Sequence, residues 1–392
     1  MIEASARSVT RAAPLRVAIV TAGRFHVCDL ARELDAQGHD VAFYSLVPPS
    51  RTGRFGLPPR CNRWLGPYLL PVYAVCRAIR RAGAGAAAQR ILYAAVDRVA
   101  ARVVGPCDVL IGMSQMSAAA MRSARRRFGA RTVLERGSRH IASQREILDR
   151  IPGAASAAKQ VPVWAVSREL AEYQIADLIS VPSRHVERSF IERGVVASKL
   201  FRNPYGVDLD MFPATTAPPA QASPRIIMVG EWSLRKGCDV LAAAWRRLAP
   251  RGVRLVHVGR RGDAPLPTEP GFEHRGTVDQ RELTACYAGA HLFALASREE
   301  GLALVQVQAL ASGLPVVATD YTGAEDLREY VDDPQAIAIV PADDVDALAR
   351  ALDTQLDYAR GLTSVRDLLR SARDRLSWRA YGARYDAMLR AA

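Results

Sequence analysis

Residues 291–318 read HLFALASREEGLALVQVQALASGLPVVA, and this stretch decides the fold. The apolar run over 291–296 predicts a buried strand, a helix is predicted over 302–312, and the run over 315–318 predicts a second strand. A strand, a crossover helix and another strand in this order are typical of a parallel sheet. The stretch therefore predicts a doubly wound α/β domain whose ligands bind at the carboxyl ends of the strands.

The same alternation extends along most of the chain in both directions. The other predicted strands are 15–22, 41–46, 108–112, 132–135, 178–181, 225–229 and 254–258. The other predicted helices are 25–37, a long region over 64–104 interrupted by Gly83 and Gly85, 236–248 and 280–288. A proline-rich segment, 209–224, predicts a linker between a domain over 15–208 and another over 225–375. Residues 1–14 are expected to be a disordered tail.

The composition is that of a globular protein. The chain has 392 residues, of which 49% are hydrophobic and 24% charged, which suits two domains of ordinary size. Its six cysteines are scattered without a C-x-x-C pair, which favours packed thiols in a reducing compartment. No export signal is evident in 1–14, and the apolar stretch 64–76 is too short to span a bilayer. We therefore expect a cytoplasmic protein that is not integral to a membrane.

The net charge of +13 comes almost wholly from arginine, since only three of the 53 basic residues are lysines. Arginines cluster at 77–81 and 125–127, in predicted helices of the first half. Two interpretations stay open: a solvated basic surface, or a face that attaches the protein to anionic lipid at the inner face of the plasma membrane. Nucleic acid is not expected as a partner, because the chain has no recognition helix or aromatic-rich basic strand pair.

The loop after the strand 291–296 carries the most informative polar residues. Backbone N–H groups at a helix start, beside the positive end of its dipole, bind a diphosphate without a dedicated cation. The predicted phosphate-binding residues are Gly301, Leu302, Ala303 and Leu304. Glu300 cannot bind phosphate itself and is expected to turn toward sugar hydroxyls. Gln308 lies about two helical turns further along and can present an amide.

Residues 297–318 resemble the signature of retaining family 4 glycosyltransferases, S-x-x-E-G-F-G-L-x-x-x-E-A-x-A-x-G-x-P-V-V-A. Residues 229–237, VGEWSLRKG, resemble that family's V-G-R-L-x-x-x-K-G. Weaker likenesses at 203–208, 276–278 and 321–325 extend the resemblance over most of 15–390. It implies the GT-B fold, in which two doubly wound Rossmann-like domains face each other across a cleft. It also implies that a C-terminal helix within 376–392 crosses back to the first domain.

The resemblance implies a nucleotide diphosphate sugar as the donor, with no metal or other cofactor. By position, Glu300 contacts the donor sugar, Lys236 holds the departing diphosphate, and Arg235 adds a second positive charge. Two positions depart from the pattern: Glu231 stands where the family has Arg, and Gln308 stands where it has the Glu that binds ribose. The remaining predicted donor-binding residues are Gly23, Val278 and Glu299.

The first domain is expected to bind the acceptor, a glycan or a lipid-linked molecule. Residues 135–140, ERGSRH, follow a predicted strand and make poor core but a suitable site lining. Arg136 and Arg139 are predicted acceptor contacts, together with His26 at the start of the first helix. His140 is predicted to be catalytic, because family members commonly carry a histidine of the first domain near this point.

These features predict a retaining hexosyltransferase of cell-surface polysaccharide or glycoconjugate synthesis. A nicotinamide-dependent oxidoreductase is disfavoured, because the first predicted strand is followed by one glycine and not by G-x-G-x-x-G. Two alternatives stay open: a GT-B sugar-nucleotide epimerase, and an inactive relative that only binds a nucleotide sugar. The departures at Glu231 and Gln308 favour the inactive relative, whereas the presence of Glu300, Gly301 and Lys236 favours an active enzyme.

Overall fold

The computed structural model describes residues 13–151, 161–215, 223–362 and 366–391. The N-terminal tail predicted over 1–14 lies largely outside the described residues, and so do residues 216–222 of the linker predicted over 209–224. Within them, the chain forms two parallel sheets, each covered by helices.

The first sheet has seven parallel strands in the order β3-β2-β1-β4-β5-β6-β7. Its strands are β1 Arg16–Val20, β2 Asp40–Ser45, β3 Asn62–Trp64, β4 Val109–Met113, β5 Arg131–Glu135, β6 Leu178–Val181 and β7 Leu200–Arg202. The helices between them are α1 Val27–Ala36, α2 Pro49–Thr52, α3 Gly66–Arg81, α4 Gly85–Val103, α5 Ala118–Phe128, α6 Ile141–Asp149, α7 Val163–Ile175 and α8 Arg184–Ile191.

The second sheet has six parallel strands in the order β10-β9-β8-β11-β12-β13. Its strands are β8 Arg225–Val229, β9 Arg254–Val258, β10 Phe272–His274, β11 Leu292–Leu295, β12 Val316–Thr319 and β13 Ile337–Val340. The helices of this half are α9 Cys238–Leu248, α10 Gln280–Ala288, α11 Leu304–Ala311, α12 Ala324–Leu327, α13 Val345–Gly361 and α14 Trp378–Arg390.

The central strands are apolar because helices cover both faces of each sheet. Every residue of β4, VLIGM, is buried, and so is every residue of β11, LFAL. Continuous apolar strands of this kind are typical of parallel sheets, whose crossover helices pack on both sides. The order of strands in each sheet reverses beside its first strand, as in doubly wound folds. The prediction of two such α/β domains is confirmed.

The structure corrects two predicted helices. The region predicted as helical over 64–104 begins with Trp64, which lies in β3 and not in a helix. The predicted interruption at Gly83 and Gly85 is present, because α3 ends at Arg81, Gly83 has a φ of 82° and α4 begins at Gly85. The helix predicted from residue 236 begins at Cys238, because Gly237 adopts the left-handed conformation just before it.

The last helix, α14, packs against α1 of the first domain. His39 Nε2 lies 2.7 Å from Oδ1 of Asp386, and the amide of Asn203 donates to the carbonyl oxygen of Tyr381 over 3.2 Å. The C-terminal segment therefore ties the second half of the chain to the first. None of the helices in the described ranges is both long and apolar enough to cross a membrane.

Candidate active site

A glycine places Lys236 against the end of β11. Gly237 has a φ of 62°, and a Cβ at this position would overlap the carbonyl oxygen of Ala296, so only glycine permits the approach. Lys236 then forms an ion pair with Glu300, in the loop that follows β11. The structure therefore brings together the two residues on which the predicted donor site depends.

Arg235 completes this charged cluster. Its Nη1 lies 3.3 Å from Oε1 of Glu300 and donates to the carbonyl oxygen of Glu299 over 2.9 Å. Ser297 Oγ also donates to Oε1 of Glu300, over 3.3 Å. Burial by itself would raise the pKa of Glu300, but Lys236 and Arg235 outweigh it, and the pKa is lowered. Glu300 is therefore ionised at neutral pH.

A cleft opens between the two domains beside this cluster. One cavity of about 420 Å³ is lined by Lys236, Glu300 and residues 302–305 of the second domain, and by Arg24, Phe25, His26, Asp29, Tyr205 and Trp378 on the opposite side. A neighbouring cavity of about 320 Å³ shares Arg24, Asp29, Leu304 and Trp378 with the first and adds Gln308. The shared lining makes the two cavities one cleft, large enough for a nucleotide-sized ligand.

The wall opposite the cluster contains a buried histidine–carboxylate pair. His26 Nε2 lies 2.8 Å from Oε2 of Glu135, and the hydroxyl of Tyr385 donates to Oε1 of the same carboxylate over 2.8 Å. The ring of Tyr205 packs on His26 with centroids 4.4 Å apart. The prediction named His26 alone. Glu135 was detectable as a carboxylate at the carboxyl end of a buried strand, whereas nothing in the sequence indicated Tyr385.

Gly301 lies where the two domains touch. A Cβ on Gly301 would overlap the carbonyl oxygen of Gly137 in the first domain, so the contact requires glycine. Ser183 Oγ donates to the carbonyl oxygen of Gly301 over 2.8 Å, and His185 Nε2 lies 2.9 Å from the carbonyl oxygen of Glu300. Burial lowers the pKa of His185 to about 4, and the neutral ring donates its Nε2 proton to that carbonyl.

Glu299 is directed at the first domain and not at the cleft. Its carboxylate accepts hydrogen bonds from Ser138 and, over 3.1 Å, from Nε2 of Gln144. It is absent from the lining of the two cleft cavities. In this arrangement Glu299 connects the domains, and its predicted contact with the donor stays a prediction.

The predicted residues of the segment 136–140 make contacts within the protein. Arg136 is buried, and its Nε lies 2.8 Å from Oε2 of Glu169. His140 caps α6, where Nδ1 accepts from the N–H of Ala142 over 3.3 Å, and its pKa is lowered to about 4, chiefly by burial. The guanidinium of Arg139 lies over the ring of Tyr321, 4.7 Å from its centroid. None of the three lines the two cleft cavities, so their predicted roles stay predictions.

The predicted phosphate-binding backbone needs one correction. The N–H of Ala303 donates to the carbonyl oxygen of Thr322 over 3.2 Å, so this amide is already bonded within the protein. Helix α11 begins two residues later than predicted, at Leu304. Gln308 lines the cleft as expected, and its Oε1 accepts from the hydroxyl of Tyr287 over 3.4 Å.

Two other predicted donor-binding residues lie outside the cleft lining. Gly23 follows β1, where its N–H donates to Oγ1 of Thr21 over 3.2 Å. Val278 packs, half-buried, against the hydrophobic core.

Glu231, at the position of the family's Arg, lies 3.1 Å from Nη2 of Arg260. Within the described ranges, no three His, Cys, Asp or Glu side chains cluster as ligands for a metal ion.

Two family models match the chain. A glycosyl transferase 4-like domain matches residues 21–206, and the glycosyl transferases group 1 model matches residues 223–357. Sulfoquinovosyl transferase SQD2 of Arabidopsis thaliana is 26% identical over 236 residues, which are 56% of this chain and 45% of that protein. A GDP-mannose-dependent alpha-(1-6)-phosphatidylinositol monomannoside mannosyltransferase of Mycolicibacterium smegmatis is 28% identical over 242 residues, 55% of this chain and 62% of that protein. The chain thus spans about half the length of the curated relatives it matches.

Solved structures share the whole architecture. Sucrose-phosphate synthase from Thermosynechococcus elongatus aligns with a TM-score of 0.68 at 19% identity, covering 96% of this chain and 98% of its own. HepE of Anabaena, in complex with UDP-glucose, aligns with a TM-score of 0.63 at 14% identity, covering 96% of this chain and 100% of its own. At these identities the similarity concerns the fold alone.

Two parallel-sheet domains facing each other across a cleft define the GT-B architecture, which confirms the predicted fold class. The two models together match residues in both domains and in most of the chain. The chain belongs to the group 1, family 4-type glycosyltransferases, as the resemblance at 229–237 and 297–318 predicted.

Proposed function

We propose that this protein is a retaining, metal-independent hexosyltransferase that moves a sugar from a nucleotide diphosphate donor to a glycan or lipid-linked acceptor. The observation that carries the proposal is the cluster of Lys236, Arg235 and Glu300, of which Lys236 and Glu300 line the cleft opposite His26 and Arg235 contacts Glu300 from beside it. Two cations beside one ionised carboxylate are suited to a ligand that joins a diphosphate to a polar sugar. The complex of HepE with UDP-glucose supports a nucleotide sugar as the ligand of this fold.

In the proposed reaction the diphosphate leaves toward Lys236 and Arg235. The bond between the anomeric carbon and the phosphate oxygen breaks as the acceptor hydroxyl attacks from the same face. The hydroxyl proton passes to the departing phosphate, so no side chain acts as a nucleophile. The fixed cations stabilise the charge that develops on the leaving group, and Glu300 orients the sugar through its hydroxyls. Lys236 must exchange part of its contact with Glu300 for the diphosphate when the donor binds.

The first domain would supply the acceptor side of the cleft. His26 lines the cavity, and Glu135 lies behind it, which orients the imidazole. A ring fixed in this way can hydrogen-bond a sugar or acceptor hydroxyl beside the anomeric carbon. Glu135 therefore acts through His26 as a positioning residue, and Tyr385 of α14 holds Glu135 in turn.

The proposed acceptor is presented at the inner face of a membrane, in polysaccharide or glycoconjugate synthesis. Helix α3 supports this, because Tyr68, Leu70 and Tyr73 are 61%, 58% and 50% exposed, and the helix ends at Arg80 and Arg81. Exposed aromatic and aliphatic side chains beside arginines suit the interface of an anionic bilayer. The mannosyltransferase relative, whose name includes a phosphatidylinositol monomannoside, is consistent with a lipid-linked acceptor.

Vesicle sedimentation tests the membrane proposal. The double substitution Leu70→Ser and Tyr73→Ser should lower recovery with anionic vesicles, and high salt should lower it for the unchanged chain. The matched control is Val163→Ser and Val196→Ser, because both valines are exposed apolar residues of the same domain. Equal recovery of the two variants would contradict docking through α3.

A specific pair of contacts favours the inactive relative as the second candidate. Glu231 holds Arg260, and Gln308 accepts from Tyr287, so both departures from the family pattern already have partners within the protein. A panel of UDP- and GDP-sugars separates the candidates. For each sugar nucleotide, the release of nucleoside diphosphate, the thermal protection of the protein and the isomerisation of the donor are measured. Release with an added acceptor supports the transferase. Thermal protection without turnover indicates the inactive relative, and conversion of the donor to its isomer indicates the epimerase.

A further inference from the structure

A second cavity, of about 530 Å³, lies in the first domain between α4, α5 and α7. It shares no lining residue with the two cavities of the cleft. Four arginines line it: Arg90, Arg98, Arg122 and Arg168. Small residues stand between them on the same helix faces, at Ala94, Ala118 and Ala171. The spacing of 90, 94 and 98 on α4, and of 118 and 122 on α5, points each set to one side of its helix.

The charge of this cavity is largely unbalanced. Arg168 pairs with the buried Asp97 and lies 3.8 Å from Oε1 of Glu172. Arg90, Arg98 and Arg122 make no ion pair with any carboxylate of the described chain, and none of the described residues that line the cavity is acidic. Three exposed guanidinium groups therefore line one concave surface without a carboxylate partner, and their combined field attracts anions.

The side chain of Trp164 lines the same cavity. The indole Nε1 of Trp164 is buried and has no acceptor among the described residues, although buried polar groups normally have one. Helix α7 begins at Val163, one residue earlier, so the backbone of Trp164 lies at the positive end of its dipole. An oxyanion bound by the guanidinium groups would lie beside the Trp164 side chain, which would report on its binding.

We propose that this cavity binds a phosphate ester, held by Arg90, Arg98 and Arg122 beside the side chain of Trp164. Arginine suits phosphate because its planar fork donates two parallel hydrogen bonds to two oxygens. The cavity is much larger than one phosphate group, so the ester carries an organic part that packs over the alanines. The source of this chemistry is a soluble phosphorylated metabolite or the headgroup of a phospholipid.

The test follows the indole N–H resonance of Trp164 by NMR while glycerol phosphate is added to the full chain. Trp164→Phe identifies the resonance, and Trp378, which lines the cleft, reports separately on binding there. The ligand should shift the Trp164 resonance in a saturable manner. The double substitution Arg98→Gln with Arg122→Gln is called the cavity variant. It should weaken the apparent affinity for glycerol phosphate at least about tenfold, because each substitution removes a hydrogen bond to a charged group.

The matched control is Arg51→Gln with Arg63→Gln, which removes equal charge from exposed positions of the same domain. These arginines line none of the cavities described above, and the control should bind within about twofold of the unchanged chain. Absence of a shift at Trp164, or equal weakening by both variants, would overturn the proposal.

Vesicles of phosphatidylglycerol then distinguish the two sources. If the ester belongs to a lipid, the cavity variant should sediment less than the control variant at the same salt concentration. If both variants sediment equally while glycerol phosphate still shifts Trp164, the ester is a soluble metabolite. For either source of the ester, the site is supported if glycerol phosphate no longer shifts the Trp164 indole resonance in the cavity variant. Circular dichroism must show that this variant is still folded.

Discussion

Replacement of Lys236 by alanine should reduce kcat/KM by about 10²–10³, which corresponds to about 2.7–4 kcal/mol of transition-state stabilisation. The estimate follows from the geometry, because Lys236 is one of two cations that contact Glu300 in the cleft and would face the departing diphosphate. Arg235 remains in the variant, so the loss should be that of one fixed charge and not of the whole cluster.

The same substitution should affect folding less than activity. Loss of the sole partner of a buried charge costs about 3–5 kcal/mol, but Glu300 keeps Arg235 at 3.3 Å and its bond from Ser297. The free energy of unfolding should therefore fall by less than that amount, which urea denaturation measures. Folding measured in this way distinguishes a catalytic loss from an unfolded variant.

Lys199→Ala is the matched control, because it removes the same side chain elsewhere in the chain. Lys199 Nζ donates to the carbonyl oxygen of Gln174 over 3.3 Å, and the residue does not line the cleft. The assay is nucleoside diphosphate release with the donor identified in the sugar panel. A folded Lys236→Ala protein with kcat/KM within about threefold of the control would refute the role of Lys236.

Glu300→Gln should abolish transfer while calorimetry still detects the free nucleoside diphosphate, because this carboxylate is assigned to the sugar; loss of nucleotide binding as well would show that the assignment is wrong. Gln308→Glu should be tolerated and should tighten donor binding, since a carboxylate accepts a stronger bond from a ribose hydroxyl; a misfolded or inactive protein would show that the site depends on the amide. Stability should fall as the pH is lowered from about 7 toward about 4, because the pKa of His185 is about 4 in the folded chain and near 6.5 when unfolded. The unfolded state binds the proton first as the pH falls. His185→Asn should therefore flatten the pH dependence of the free energy of unfolding, measured by urea titration at several pH values. An unchanged slope of that free energy against pH would contradict the role given to His185.

The parallel fold could be predicted because central strands such as β1, β8 and β11 each contain a run of at least four apolar residues. The runs 17–20, 226–229 and 292–295 are buried on both faces of the sheet, so their apolar composition alone identifies them as strands. The edge strands could not be found in this way. Strand β3 is Asn62-Arg63-Trp64, which has no apolar alternation and is extended because it pairs with β2. Tertiary pairing decides such short strands, and local propensity does not.

The candidate site was predictable on one side only. Lys236, Glu300 and Gly301 lie in motifs that are continuous in sequence, and their backbone geometry follows from the glycines beside them. Glu135 and Tyr385 are 250 residues apart, and they meet only because α14 packs on the first domain. Contacts of this range leave no local periodicity. Likewise, the N–H of Ala303 was expected to bind phosphate, but the neighbouring loop supplies Thr322 as its acceptor.

The central claim is that the cleft transfers a sugar with retention, using Lys236 and Glu300 and no enzyme nucleophile. The most direct measurement is the NMR anomeric configuration of the new linkage, formed from an α-linked nucleotide sugar by the full chain. The account predicts an α-linked product, formed by the unchanged chain and by Lys199→Ala and lost with Glu300→Gln. A β-linked product, or an α-linked product formed at an undiminished rate by Glu300→Gln, would contradict it.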